Sequence, residues 1–178
     1  MNVCIAAPED MPAILDLVCE VFAGEQGIPR ELIPIPEEKE PCWWCMKQDG
    51  KPVATVALYR EGDEWHMGRL AVSPTLRGCH AGTKLLAHAF RDVFSRDIDR
   101  FVAEARDTTV HILLKFGAEV TGPAAEFFGS SITPIVLTKT ACLQALVMQV
   151  PGKLLYQCEA ANEKSAKTAL AAGFVEIF

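Results

Sequence analysis

Long apolar runs are missing from this chain. No window reaches about 18 apolar residues, so no membrane-spanning helix is expected. The opening Met-Asn-Val-Cys-Ile-Ala-Ala-Pro-Glu-Asp lacks a basic cluster ahead of an apolar stretch, which argues against a secretory leader. A basic excess is missing too. Lys and Arg number 17 against 23 Asp and Glu, for a net charge of −6. With a pI near 5.2, a general nucleic-acid-binding surface is not expected. Neither G-x-x-x-x-G-K-[ST] nor G-x-G-x-x-G occurs, which removes the P-loop and the dinucleotide fingerprint. Aromatic residues are sparse at 8%, and the two tyrosines are Tyr59 and Tyr156.

Cysteine is present without the density or even count of a secreted disulfide scaffold. The seven stand at 4, 19, 42, 45, 79, 142 and 158. Scattered, reduced thiols and a cytoplasmic location fit that distribution. Cys42-Trp43-Trp44-Cys45 spells C-x-x-C, with no second such pair to complete a zinc site. The segment reads as a strand, where positions i and i+3 face opposite ways, so structural cysteines are expected. At 178 residues, 50% apolar and 22% charged, the chain is one globular domain with room for an appendage.

Periodicity supplies the order of elements. Residues 3–6 read as a strand, and Pro8-Glu9-Asp10 opens a helix whose buried face is Ile14, Leu17, Val18, Val21 and Phe22. Residues 24–40, with three prolines, are irregular. Strands flank the Asp49-Gly50 turn, and a third runs over 64–72 after Glu61-Gly62-Asp63. Leu85, Leu86, Ala89, Phe90, Val93 and Phe94 form the apolar stripe of a second helix. Its end, with Arg91, Asp92, Arg96 and Asp97, reads as solvated. A strand over 101–105 and a helix over 107–115, stopped by Gly117, come next. Strands over 118–121 and 132–138 then flank a Gly/Pro-rich bend. The alternation, with hairpins at the front, implies an α/β protein with a mixed sheet.

The densest chemical signal is Gly68-Arg69-Leu70-Ala71-Val72-Ser73-Pro74-Thr75-Leu76-Arg77-Gly78-Cys79-His80-Ala81-Gly82-Thr83-Lys84. A strand, a turn of small residues with one cation, and a helix follow each other. Backbone N–H groups and a helix N-terminus then converge on an anion. This stretch resembles the coenzyme A loop of the GNAT superfamily of N-acyltransferases, written [RQ]-x-x-G-x-[GA]. Arg77 fills the first position, Gly82 the last, and His80 stands where Gly is usual. Val21-Phe22-Ala23-Gly24-Glu25-Gln26-Gly27-Ile28-Pro29 resembles the segment after helix 1 in a bacterial subgroup of that superfamily. Asp49-Gly50-Lys51-Pro52-Val53-Ala54-Thr55 resembles its strand 2–3 hairpin. The resemblance runs over residues 1–138.

The resemblance implies a GNAT-like α/β fold, with a mixed, mostly antiparallel central sheet and helices on both faces. It implies a coenzyme A-dependent N-acyltransferase, with acetyl-CoA as co-substrate and a small-molecule amine as acceptor. It implies that Leu70, Ala71 and Val72 offer backbone amides to the pantetheine arm. Arg77, Gly78, Cys79, His80, Ala81, Gly82 and Thr83 would hold the pyrophosphate. Amine attack on a thioester needs a base. His66 and Glu64, two apart on one strand, and Glu25, on the loop after helix 1, are the candidates. Four residues before Gly117, where many members carry a proton-donating Tyr, stands Leu113. Two other readings stay open: transfer of a longer acyl chain, and an acyl-CoA-binding module without turnover. His80 and Leu113 favour the module. His88 and His111 read as surface or packing residues.

Residues 139–178 form an extension. Helices over 139–149 and 162–171, with strands over 154–158 and 174–177, suggest a β-α-β-like half-repeat of the preceding domain. Its apolar residues call for burial against the domain or a second copy, and a homodimer is expected.

Overall fold

The computed structural model describes residues 1–149 and 163–172. Eight strands form one sheet in the order β1-β2-β3-β4-β5-β8-β6, with β7 pairing β8. The strands are β1 Asn2–Ile5, β2 Cys42–Gln48, β3 Lys51–Glu61, β4 Glu64–Val72 and β5 Arg100–Ala105. Beyond them run β6 Glu119–Val120, β7 Ala125–Phe127 and β8 Ser130–Thr138. Helix α1 spans Met11–Cys19 and continues as a π-turn over Glu20–Glu25. Helices α2 Ala81–Ser95, α3 Asp107–Lys115, α4 Lys139–Gln149 and α5 Glu163–Ala171 complete the described chain. The mixed, mostly antiparallel sheet and its helical layers match the expected architecture. No described helix is long and apolar enough to cross a membrane.

Local chemistry explains the front of the sheet. Asp49 and Gly50 both have positive φ, 51° and 79°, as a tight two-residue hairpin between Gln48 and Lys51 requires. Gly62, at φ 61°, turns β3 into β4 with Glu61 opposite Glu64. Cys42 and Cys45 do fall on opposite faces. The Arg96 guanidinium lies beside Cys42, whereas Cys45 is buried opposite Cys4, with sulfurs 3.9 Å apart.

Two cores lie on the two faces. Trp43, Cys45, Ala57 and Ala71 pack with Ile14, Leu17 and Val18 of α1. On the other face, the predicted stripe of α2 is buried against Trp44, Val56, Leu58, Phe101 and Leu137. Phe90 sits at its centre, 5.4 Å from Phe101 and 5.0 Å from Phe116 between ring centroids. Each such side chain contributes about 1.5–3 kcal/mol through burial. The end of α2 is exposed at Arg91, Arg96 and Asp97, as expected, but Asp92 is half-buried: it accepts from the buried Trp44 indole at 2.9 Å and pairs with Arg96.

The described part of the extension, α4 and α5, is tied to the domain through α4. Cys142 of α4 joins the α2-side core, and Gln144 donates to the Ala171 carbonyl of α5 at 2.9 Å. The expected strands over 154–158 and 174–177, with Tyr156, lie outside the described residues.

The feature that shapes the site is the relation of β4 to β5. Among the described residues they pair, in parallel, at one position, His66 opposite Val102. Past that point the strands part. Strand β4 also bulges: Thr55 faces Ala71 and Ala57 faces Gly68, so Arg69 and Leu70 share the space opposite Val56. Arg69 takes φ 57° there and donates to the Leu32 and Ile33 carbonyls.

Candidate active site

A cleft of about 730 Å³ occupies the parting between β4 and β5. It is lined from both faces of the sheet, by Phe22, Gln26 and Tyr59 on the α1 side and by Leu86, Ile112 and Leu113 on the other. A ligand can therefore lie through the sheet.

One end of the cleft is the turn after β4. Gly78 at φ 78° and His80 at φ 58° bend the chain into α2. No side chain caps α2, so its first-turn N–H groups remain available beside Gly78, His80, Ala81, Gly82 and Thr83. Arg77 lines the same end, with Nε on the Val72 carbonyl at 3.2 Å and Nη2 on Glu25 at 2.7 Å. Uncapped N–H groups, a helix N-terminus and a guanidinium at the mouth of a long cleft fit a coenzyme A pyrophosphate and its pantetheine arm. Gly82 packs against Val72 and Ile112, where a methyl group would sit at 3.6–3.7 Å.

The other end is set by strand register. Tyr59 stands opposite His66, and His66 opposite Val102, so all three share the α1 face. Glu104 continues that face along β5, and Arg106, extended just past its end, keeps the alternation. The Tyr59 and His66 rings stack at 5.8 Å between centroids. Burial pushes the Tyr59 phenol up, so it keeps its proton and is a donor. That oxygen lies over the β4 bulge: a methyl built on Gly68 would sit 3.5 Å from it. Glu61 Oε2 is 3.9 Å from His66 Nδ1, and its hydrogen bond from Lys39 holds it below the usual carboxylate range. An imidazole between a phenol and a carboxylate can take a proton and pass it on.

The structure gathers most of the sequence-predicted residues. His66, Glu25, Leu70, Val72, Arg77, Gly78, His80, Ala81, Gly82 and Thr83 all line the cleft. Ala71 turns its side chain into the α1 core, 1% exposed, which leaves its backbone as its contribution. Cys79 and Glu64 are outside the lining, and Glu64 pairs with Arg100 beside the closed end of the β4–β5 parting. The Glu25 carboxylate is held below its ordinary range by the hydrogen bond from Arg77, which weakens it as a base. His111 bonds the Asp107 carbonyl and His88 meets Arg91, both away from the cleft. Tyr59, Glu61, Glu104 and Arg106 were not singled out by motif. Counting back across the Glu61–Glu64 turn would have found Tyr59 opposite His66. Among the described residues, no three His, Cys, Asp or Glu side chains cluster as a metal site.

Comparison with solved structures gives the same architecture. Escherichia coli ElaA superposes with a TM-score of 0.66 at 17% identity, covering 76% of this chain and 99% of its own. An acyl-CoA N-acyltransferase from Pseudomonas aeruginosa gives 0.64 at 17%, covering 76% and 99%. A candidate N-acetyltransferase from Lactobacillus plantarum gives 0.67 at 19%, covering 77% and 97%. No curated protein matches the sequence significantly. The model of the acetyltransferase (GNAT) family matches residues 11–118, which holds the β4–α2 turn, the cleft strands and His66 together, and the chain belongs to that family of acyl-CoA N-acyltransferases.

Proposed function

We propose that the protein moves acetyl from acetyl-CoA to the amine of a small molecule by direct attack. The observation that supports this most is the parting of β4 from β5 beyond His66, which joins the uncapped start of α2 to a proton-accepting side chain. Arg77 and the N–H groups of residues 78–83 hold the pyrophosphate, and the free edge of β4 at Leu70, Ala71 and Val72 takes the pantetheine arm. His66 accepts the proton of the attacking ammonium, directly or through water, with Glu61 steadying the imidazolium. The new N–C bond forms as the C–S bond breaks. The leaving thiolate is protonated by Tyr59, which stands in for the tyrosine replaced by the buried Leu113, and the second proton shed by the acylated nitrogen returns through water to Tyr59. The same reading makes the protein cytoplasmic and homodimeric. Free, scattered thiols support the first, and exposed Val120, Phe127 and Phe128 support the second.

Thermal unfolding with acetyl-CoA is the first test. At about 100 times Kd a ligand of the native state adds about 2.7 kcal/mol. A melting temperature unmoved by millimolar acetyl-CoA overturns the proposal. Free CoA release that needs an added amine separates transfer from thioester hydrolysis and from binding without turnover.

A further inference from the structure

Arg106 directly follows β5 in extended conformation, two residues beyond Glu104, and lines the cleft. Its Nε donates to Gln26 Oε1 at 3.3 Å, and its guanidinium carbon lies 5.9 Å from the Phe127 ring centroid. Those two contacts orient the guanidinium. Its terminal nitrogens, Nη1 and Nη2, are buried, and neither has a hydrogen-bond partner among the described residues. Other arginines of the fold are satisfied at their tips: Arg77 on Glu25, Arg69 on the Leu32 carbonyl, Arg96 on Asp92 and Arg100 on Glu64. Leaving charged N–H groups buried and unpaired is costly. A ligand oxyanion meeting the two nitrogens as a bidentate pair removes that cost.

We propose that Arg106 selects an acceptor carrying a carboxylate as well as its amine. This rests on the acyltransferase reading above. A coenzyme phosphate is the other source of an oxyanion, and position argues against it. The phosphate-facing turn follows β4 and has its own guanidinium and helix N-terminus. Arg106 follows β5, and its neighbours Gln26 and Phe127 belong to the loop after α1 and to β7. It shares the α1 face with Tyr59, His66 and Glu104. An acceptor with an anionic end at Arg106 presents its ammonium end toward Glu104, Glu61 and His66. The polarity of the cleft then matches a zwitterionic amine.

Glycine, 4-aminobutyrate and 6-aminohexanoate, each beside its own amide, test this in the presence of acetyl-CoA. For at least one pair, wild-type kcat/KM should favour the acid over the amide by about tenfold or more, the worth of one charge-assisted bidentate contact. In Arg106→Gln the preference should fall to near unity, through loss of the acid rather than gain of the amide. Arg106→Lys, which keeps the charge without the fork, should recover part of it. The acetyl-CoA Kd of both variants, measured by calorimetry, should stay within about threefold of wild type. Equal use of acid and amide by the wild type overturns the proposal. So does a tenfold weaker acetyl-CoA complex in Arg106→Gln with equal losses for acid and amide, which would assign the guanidinium to the coenzyme. Acetyl-CoA binding with no acylation of any probe also counts against it. Failure of acetyl-CoA to bind the wild type overturns the acyltransferase reading instead.

Discussion

Glu25 and Arg77 meet at 2.7 Å at the mouth of the cleft, so the turn proposed to face the coenzyme carries its guanidinium already joined to a carboxylate. The next residue, Gln26, holds Arg106. Consecutive residues of one loop thus grip the arginines that follow β4 and β5, and they span the parting between the strands. A pyrophosphate entering beside Arg77 competes with Glu25 for the same nitrogens. The pair is substantially exposed, at 45% and 37% for the two side chains, so solvent screens it and the competition is mild.

Removing the competitor should therefore help the coenzyme. Glu25→Gln is expected to leave acetyl-CoA binding equal or tighter by up to about 1 kcal/mol, the ceiling for an exposed ion pair. Arg77→Ala is expected to weaken it by about 1.5–3 kcal/mol. Calorimetry on the two variants checks both. Weaker binding in Glu25→Gln would mean that the carboxylate orients Arg77 for the phosphate instead of occupying it.

The same pair has a pH signature. Arg77 lowers the Glu25 pKa in the folded state below its unfolded value. Its stabilisation is then present above the ordinary carboxylate value of about 4.3 and is lost as the pH falls through the lower folded value. Because both groups are exposed, the effect stays within about 1 kcal/mol. Urea midpoints of wild type and Arg77→Ala should differ at pH 7 and converge as the pH falls below the folded-state value.

His66 is the side chain whose loss should stop turnover. His66→Ala is expected to lower kcat about 10²–10⁴-fold with little effect on acetyl-CoA affinity. Glu64→Gln is the matched control. Its carboxylate pairs with Arg100 outside the cleft, so its rate should hold. A His66→Ala enzyme with unchanged turnover takes His66 out of the mechanism.

Local pattern carried much of this fold. The α2 stripe and the Asp49-Gly50 turn are short-range features, and each sits where periodicity or turn chemistry put it. The turn after β4 was legible for the same reason, since Arg77, Gly78 and Gly82 lie within six residues of one another. What stayed hidden depends on distant partners. Asp92 reads as a solvated helix end until Trp44, 48 residues away, is placed above it. Arg106 acquires its orientation from Gln26, 80 residues earlier, and from Phe127, so no window of sequence marks it. Arg69 shows a bulge that strand alternation alone cannot register.

His80 departs from the family loop, and the structure shows a cost. It starts α2 at φ 58°, a conformation that burdens a residue with a Cβ by about 1–2 kcal/mol. His80→Gly relieves that strain and adds back about 0.5–1 kcal/mol of unfolded-state entropy. A net gain of about 0.5–1 kcal/mol is expected from urea midpoints, with acetyl-CoA binding equal or tighter. Loss of binding would instead make the imidazole a phosphate contact.

Gly117 tests whether the extension is part of the fold. As the stop of α3 it takes φ 85°, which the left-handed region explains. A second constraint comes from α4: a Cβ on Gly117 would lie 2.6 Å from the Ala141 carbonyl oxygen and 3.2 Å from the Ala145 Cβ. That oxygen belongs to the α4 backbone, and Cys142 beside it is 3% exposed in the core, so α4 cannot retreat cheaply. Gly129 is the control. Its φ is 69°, and an added Cβ there meets nothing within 4 Å. Gly129→Ala should cost the left-handed term alone, about 1–2 kcal/mol. Gly117→Ala adds an overpacking term of about 1–3 kcal/mol and should cost about 2–5 kcal/mol in all. Denaturant midpoints of the two variants give the comparison. Equal losses would mean that α4 does not press on Gly117 in solution, and the docking of the extension onto the domain would fall with it.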